Sequence, residues 1–361
     1  MNRKHFIIIA VMYIAAVFFL ASTTPISAHE AKHLYASSDI VSDAMQFGRG
    51  ITDTFLGLRL VFVFLGLLSI ALFYAVSRNY LKESRDAYLA TTIFMLLPGI
   101  LTGATLANIA IMVLPVILLF VLMYEKGYFW GLPLLMLILF FIHEASIIFF
   151  VAVLLYALKI KDRKMAITAS AFLLAFVYMA KGIVIGGRPS GHFVEIFGLY
   201  ATLFSPFVFV YFFYAMYRIL LRGKKSLLWY ISFTALAFSL LLSIRQKIHL
   251  TDFAPYVMIA VALMLKVYYQ SLRVRLPKFQ KIYKLGFTFV IVTLALNTLL
   301  ILTHQYTYYL SDTKEKHFAK RIYEPYEIAK RYKSEGKSCV ECYDSREKLQ
   351  YRYYGIPVCN K

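Results

Sequence analysis

The feature that most constrains the fold is a series of continuous apolar runs, the first of which covers residues 6–21. A helix needs roughly 20 apolar residues to cross the hydrocarbon of a bilayer. Hydrocarbon offers backbone groups no hydrogen-bond partner, so only helices and closed β-barrels can span it. The runs do not alternate polar with apolar residues, which excludes a barrel. Together with the mean hydropathy of +0.67, they predict an all-α polytopic membrane protein.

About eleven transmembrane helices are predicted, in a domain that covers residues 1–303. After the first run they cover residues 57–77, 87–101, 105–124, 128–142, 145–159, 165–182, 199–220, 227–244, 254–270 and 285–303. The first run also resembles a signal peptide with a cleavage site near Ala28, which leaves its removal open.

The positions of the charges predict the orientation. Lysine and arginine number 39 against 19 acidic residues, an excess that in a soluble protein would suggest nucleic acid. Here the cations fall in connectors between alternate runs, such as residues 159–164, 218–225 and 266–284. By the positive-inside rule these connectors are cytoplasmic, with the N-terminus inside and the C-terminus outside. We expect a multi-pass protein of the cytoplasmic membrane of a bacterium, and no nucleic-acid partner.

The first outer loop carries the pair His29-Glu30 directly after the first run. Ionisable groups beside lipid cost free energy unless they face water or a partner, so this pair is a candidate site. From residue 30 to residue 56, apolar residues recur at spacings of three and four. This pattern predicts short amphipathic helices at the membrane interface. We expect Gly48, Gly50 and Gly57 to interrupt them.

Other unusual ionisable side chains collect on the predicted outer face and are candidate site-lining residues. They are Asp39, Asp43, His143, Glu144, Arg188 and His192. The alternative is that they are solvated loop residues or helix caps.

The densest cationic cluster joins two predicted spans. Arg245, Lys247 and His249 lie within five positions, and a guanidinium beside an ammonium suits a phosphate group. Lys32 in the first loop is expected to assist them. The alternative is cations that reach toward water at a helix end. We favour the anion site because outer loops are depleted of cations.

A carboxylate and a phosphate-binding cluster facing one compartment suggest a reaction on a lipid-linked phosphate. The carboxylate would take a proton from an acceptor hydroxyl while the cations stabilise the departing phosphate. This interpretation requires that both groups open to the same water-filled cavity.

The layout resembles the GT-C superfamily of membrane glycosyltransferases, in particular bacterial aminoarabinose transferase and protein O-mannosyltransferases. Members carry an acidic pair, usually Asp-Glu, in the first outer loop, where this chain has His29-Glu30. The segment from Arg245 to Tyr256 resembles their late basic loop that runs into a Pro-Tyr helix, and the ending resembles their soluble tail.

The resemblance implies a polyprenyl-phosphate-linked sugar as donor, inversion at the anomeric carbon and an acceptor outside the cytoplasm, which is a lipid, a glycan or a protein. Because His29 replaces the first acid, the base is either Glu30 or His29, and an imidazole changes charge near neutral pH. Some members use a divalent metal, but the sequence offers no ligand set for one. A transporter or flippase for a lipid-linked glycan, and a polysaccharide polymerase, are the alternatives.

Residues 304–361 change abruptly in composition and predict a small extracytoplasmic α/β domain. A helix is expected at residues 319–332 and a strand at residues 350–358. If this segment lies outside, Cys359 can form a disulfide with Cys339 or with Cys342. Zinc binding by Cys339 and Cys342 is a weaker alternative.

Overall fold

In the computed structural model, residues 1–179, 191–342 and 344–359 are described. These residues are helical and form no β-strand; an isolated bridge joins Val340 and Val358. The α-helices are α1 (Arg3–Thr23), α2 (Ala28–Ala36), α3 (Ile40–Ile51), α4 (Phe55–Tyr80), α5 (Ser84–Leu96), α6 (Pro98–Thr105), α7 (Ile109–Glu125), α8 (Leu132–Ile142), α9 (Ile147–Ile160), α10 (Arg163–Tyr178), α11 (Phe193–Phe204), α12 (Pro206–Arg222), α13 (Leu227–Arg245), α14 (Ala254–Met258), α15 (Val261–Arg273), α16 (Pro277–Leu302), α17 (His304–Leu310), α18 (Lys320–Ser334) and α19 (Ser345–Tyr353). Short 3-10 helices cover Phe129–Gly131, Glu144–Ser146, Leu250–Asp252 and Lys314–Lys316.

Five helices within the described ranges are long and apolar enough to cross a membrane. They are α1, α4, α13, α14 continued by α15, and α16. The number rises to seven if each of two bent helix pairs is one span. The predicted helical membrane protein is therefore confirmed, whereas the number eleven stays a prediction.

The single span predicted over residues 199–220 is instead two helices, α11 and α12, which meet at an angle of 107°. Ser205 lies between them with a φ of 75°, a left-handed conformation that is uncommon for residues other than glycine. The Asn297 side chain donates a hydrogen bond of 2.7 Å to the Ser205 hydroxyl. Pro206 then begins α12, where a proline is favoured because the first turn needs no N–H donor.

The described residues form two compact units, each of which is described by itself. The first, here called the bundle unit, comprises residues 1–13, 65–103 and 109–298. Within it, α9 packs against α10 and α13, and α15 packs against α5 and α12. Buried aromatic rings fill its interior, among them Phe120 and Phe149, whose centroids are 4.9 Å apart.

The second unit, here called the loop unit, comprises residues 14–64, 104–108 and 299–361. It holds the first loop together with the C-terminal segment, so α19 packs against both α2 and α18. The buried Gln350 amide donates hydrogen bonds to the carbonyls of Ile26, at 2.9 Å, and Arg321. The domain boundary at residue 303 stays a prediction.

The C-terminal segment corrects part of the sequence analysis. The helix predicted at residues 319–332 is confirmed as α18. The strand predicted at residues 350–358 is wrong, because α19, which is capped by the Asp344 carboxylate, continues to Tyr353. Cys339 and Cys359 form a disulfide, and Cys342 is a free thiol.

The three glycines of the first loop do not interrupt helices as predicted. Gly48 and Gly50 lie inside α3 and Gly57 lies inside α4. A Cβ atom at Gly48 would lie 2.2 Å from the carbonyl oxygen of Gly57, whereas one at Gly50 would meet nothing within 4 Å. The glycine at position 48 therefore permits α3 to approach the beginning of α4 closely.

We expect Gly48→Ala to lower the free energy of unfolding by about 1–3 kcal/mol, because backbone must move to admit the methyl group. Gly50→Ala, two residues away in the same helix, is the matched control and should be neutral or slightly stabilising. Denaturant titration in detergent micelles measures both. Equal effects of the two variants would contradict the close approach.

Candidate functional site

A buried ion pair between Glu30 of α2 and Arg59 of α4 is the centre of the loop unit. Both side chains are fully buried, with 0% exposure. The Arg59 Nε donates to Glu30 Oε1 at 2.7 Å and its Nη2 donates to Glu30 Oε2 at 2.8 Å. This two-point contact matches the planar guanidinium to the carboxylate.

Every polar position of the pair is occupied. A guanidinium has five N–H donors, and the three donors that do not bind Glu30 bind the carbonyls of Ala21, Thr24 and Pro25 at 3.1, 2.7 and 3.0 Å. Besides Arg59, the backbone N–H groups of Ala107 and Ser27 donate to the carboxylate at 3.0 and 2.9 Å.

The local sequence explains how Glu30 reaches this position. Ser27, Glu30 and the two residues between them form a capping box at the start of α2. The Ser27 hydroxyl accepts a hydrogen bond from the Glu30 N–H at 3.2 Å, and the Glu30 carboxylate accepts one from the Ser27 N–H. Such a box satisfies two donors at a helix start, so it fixes both the beginning of α2 and the direction of the side chain.

Burial alone raises the pKa of the Glu30 carboxyl, but the Arg59 guanidinium and the N–H groups of Ala107 and Ser27 outweigh burial and lower the pKa below its ordinary value. The carboxylate is therefore ionised at neutral pH and holds a proton poorly.

Beside this pair, α2 carries two imidazoles, of which His29 is exposed and His33 is half-buried. The rings of His29 and His33 are 4.5 Å apart, edge toward face. His33 Nδ1 lies 2.7 Å from Asp39 Oδ2. The other oxygen of Asp39 accepts the Ser42 N–H at 2.9 Å and so caps α3. A carboxylate that holds Nδ1–H of an imidazole leaves the lone pair on Nε2, which is the arrangement of an oriented base. Lys32 and Asp43 are exposed on α2 and α3.

The other candidate residues within the described ranges belong to the bundle unit. His143 Nε2 lies 3.3 Å from the Asp252 carboxylate. Lys247 lies 3.2 Å from the Glu195 carboxylate, which also contacts His192 at 2.9 Å. These contacts connect the α8–α9 turn to the turn before α14, and the start of α11 to the loop after α13.

The remaining members of the cationic cluster, Arg245 and His249, are exposed, as is Glu144. Close to the cluster in sequence, the Tyr256 hydroxyl is buried and has no hydrogen-bond partner among the described residues. Arg188 lies outside the described residues.

No group of three or more histidine, cysteine or acidic side chains suited to a metal ion was found in the described parts of the chain.

Two residues of the site were missed by the sequence analysis. Arg59 could have been found as a lone cation four residues after the start of a long apolar run, where an unpaired charge would be costly. His33 could have been found from its spacing of four from His29, which places both on one face of a helix.

Comparison with solved structures shows the fold. The crystal structure of ArnT from Cupriavidus metallidurans in the apo state matches with a TM-score of 0.54 and 13% identity, over 97% of this chain and 74% of that one. The structure of the same protein bound to undecaprenyl phosphate matches with a TM-score of 0.54 and 11% identity, over 98% and 75%. No protein-family profile and no curated protein matches the chain. The fold expected from the GT-C resemblance is thereby supported.

We expect Arg59→Gln to lower the free energy of unfolding by about 3–5 kcal/mol, because a buried carboxylate would lose its partner. The matched control is Arg49→Gln, since Arg49 and Asp53 are also 2.7 Å apart but exposed. Arg49→Gln should lower the free energy of unfolding by only about 0.3–0.5 kcal/mol. The double variant Glu30→Gln/Arg59→Gln should be more stable than the sum of the single variants predicts.

The pH dependence has a defined sign. Because the pKa of Glu30 is lower in the folded state, its contribution to stability is complete above the unfolded-state value of 4.5. It is lost as the pH falls through the lowered value. The buried pair would be contradicted if the losses in free energy of unfolding of Glu30→Gln and Arg59→Gln were additive in the double variant. It would also be contradicted if Arg59→Gln lost no more than the control Arg49→Gln.

Proposed function

We propose that this protein is a membrane glycosyltransferase of GT-C type. It takes a sugar from a polyprenyl-phosphate donor and transfers it, with inversion, to a lipid, glycan or protein on the extracytoplasmic face of a bacterial cytoplasmic membrane. The observation that carries the proposal is the likeness to ArnT over 97% and 98% of this chain, because one of those structures contains undecaprenyl phosphate. The sequence resemblance to the superfamily supports it independently.

Glu30 acts in this proposal by positioning the first loop. Its two oxygens already accept four hydrogen bonds, and its pKa is lowered, so it is a poor acceptor for a further proton. Protonation of Glu30 would leave the Arg59 guanidinium, which is 0% exposed, without its negative partner. An unpaired buried charge is costly in free energy. Of the two bases open from the sequence, His29 is therefore the better candidate.

The proposed base is the histidine pair on α2, in which Asp39 orients His33 beside His29. One imidazole takes the proton of the acceptor hydroxyl as the acceptor oxygen bonds to the anomeric carbon. The bond from that carbon to the donor phosphate oxygen breaks, and polyprenyl phosphate leaves with the electron pair. A positioned base of this kind contributes roughly 10²–10⁴-fold to a rate.

The proposed ligands of the donor phosphate are Arg245, Lys247 and His249, with Lys32 as a further cation. The Lys247 ammonium lies 3.2 Å from the Glu195 carboxylate, but its side chain is 70% exposed. Exposed ion pairs contribute little free energy, so Lys247 could exchange Glu195 for a phosphate at small cost. His143, Glu144, His192, Asp43 and Arg188 remain candidates for lining the site.

We expect His29→Asn or His33→Asn to reduce transfer at least about tenfold, because the oriented base is lost. Asp39→Asn should do the same more weakly. The assay supplies a panel of undecaprenyl-phosphate sugars to proteoliposomes and measures the undecaprenyl phosphate released. Donor affinity should not change, and His5→Asn, on an exposed part of α1, is the control.

Full transfer by both histidine variants would contradict the assignment of the base. If intact donor crossed the bilayer and no wild-type preparation released undecaprenyl phosphate, the protein would be a transporter and the enzymatic proposal would fail.

We expect Lys247→Gln to raise the KM for the lipid donor about tenfold or more, since a charged hydrogen bond to phosphate is lost. Glu195→Gln is the informative control, because it removes the competing carboxylate and should leave KM equal or lower. A KM that rises in Glu195→Gln as much as in Lys247→Gln would show that the pair supports the loop rather than the donor.

A further inference from the structure

One surface of the bundle unit concentrates positive charge that the proposed reaction does not use. It is formed by the end of α12 with the turn that follows, and by the end of α15 with the first turns of α16. Residues 218–225 and 266–284 contain no aspartate or glutamate. The exposed cations, here called the basic surface, are Arg222, Lys224, Lys225, Arg273, Arg275, Lys278, Lys281 and Lys284.

The two basic segments lie side by side because three contacts hold their helices together. Arg218 of α12 donates a hydrogen bond to the Ser271 hydroxyl of α15. The Tyr211 and Tyr283 hydroxyls, from α12 and α16, are 2.6 Å apart. Tyr268 of α15 stacks on Phe287 of α16 with centroids 3.9 Å apart.

The acidic residues Asp86 of α5 and Glu125 of α7 are in neighbouring helices. Within the described residues, the eight cations of the basic surface form no ion pair. Their charge is therefore not balanced by the protein.

Apolar side chains alternate with these cations and are also exposed. Leu276 is 67% exposed, Ile282 69% and Leu285 71%. On α16, Lys278, Lys281 and Lys284 follow one another at intervals of three, beside the stripe of Ile282 and Leu285. A partner that fits this surface supplies anionic groups directly beside hydrocarbon, as the headgroup and acyl chains of an anionic lipid do.

We propose that the basic surface binds an anionic glycerophospholipid, phosphatidylglycerol, through its headgroup phosphate. Lys278, Lys281 and Lys284 contact the phosphate while the acyl chains cover Ile282 and Leu285. Clusters of four to eight cations beside a membrane-spanning helix attract anionic lipids in this way. The proposal does not depend on the glycosyltransferase activity.

The test uses the full-length protein in nanodiscs that contain equal amounts of phosphatidylglycerol and phosphatidylcholine with identical acyl chains. After gentle extraction, native mass spectrometry counts the lipids retained by the protein. We expect the wild type to retain more phosphatidylglycerol than phosphatidylcholine. In K278Q/K281Q/K284Q the ratio of the two retained lipids should fall at least about threefold. K278R/K281R/K284R should keep it.

The matched control is K159Q/K161Q/K164Q, which removes the same charge from another exposed basic connector of the bundle unit. It should retain the preference. The proposal is overturned if the wild type retains both lipids equally, which would leave the cations a role in orientation alone. It is also overturned if the control loses as much as the α16 variant, or if a short DNA duplex or polyglutamate binds in place of the lipid.

Discussion

The structure of the first loop depends on one interaction, the buried contact between Glu30 and Arg59. A charge without water is tolerated only when its partner and hydrogen bonds are complete, and here five guanidinium donors and two carboxylate oxygens are all satisfied. The donors and acceptors come from the end of α1, the turn before α2, α4 and the turn at Ala107. Segments that are far apart in sequence, around residues 21–30, 59 and 107, are thereby held in one arrangement.

That completeness changes the chemistry expected of the loop. From the sequence alone, Glu30 beside His29 is a reasonable candidate for proton transfer, because carboxylates are common bases. In the folded chain the Glu30 carboxylate already accepts four hydrogen bonds. On α2, by contrast, His29 is exposed and His33 contacts the Asp39 carboxylate. Division of labour between neighbouring ionisable groups is set by environment rather than by residue type.

The sequence predicted those parts of the molecule for which local physics leaves little choice. Long apolar runs became helices because lipid cannot satisfy backbone groups, and the periodic segment after residue 319 became α18. The parts that depend on distant partners were not predictable. Asn297, 92 residues later in the chain, holds the bend at Ser205. Arg59 binds Glu30 across 29 residues. Gln350 lies in a helix where the sequence predicted a strand, and it bonds to Ile26. The placement of the cationic cluster relative to the first loop stays a prediction.

The hydrogen bond from Gln350 to Ile26 has a consequence for biosynthesis, because 324 residues separate its two ends. The ribosome synthesises Gln350 long after the first loop has left it, so this contact forms only when the chain is nearly complete. The nascent protein cannot assemble this region helix by helix in the order of synthesis. Completion of this region is therefore a late step in synthesis, and a chain truncated before Gln350 would lack this contact.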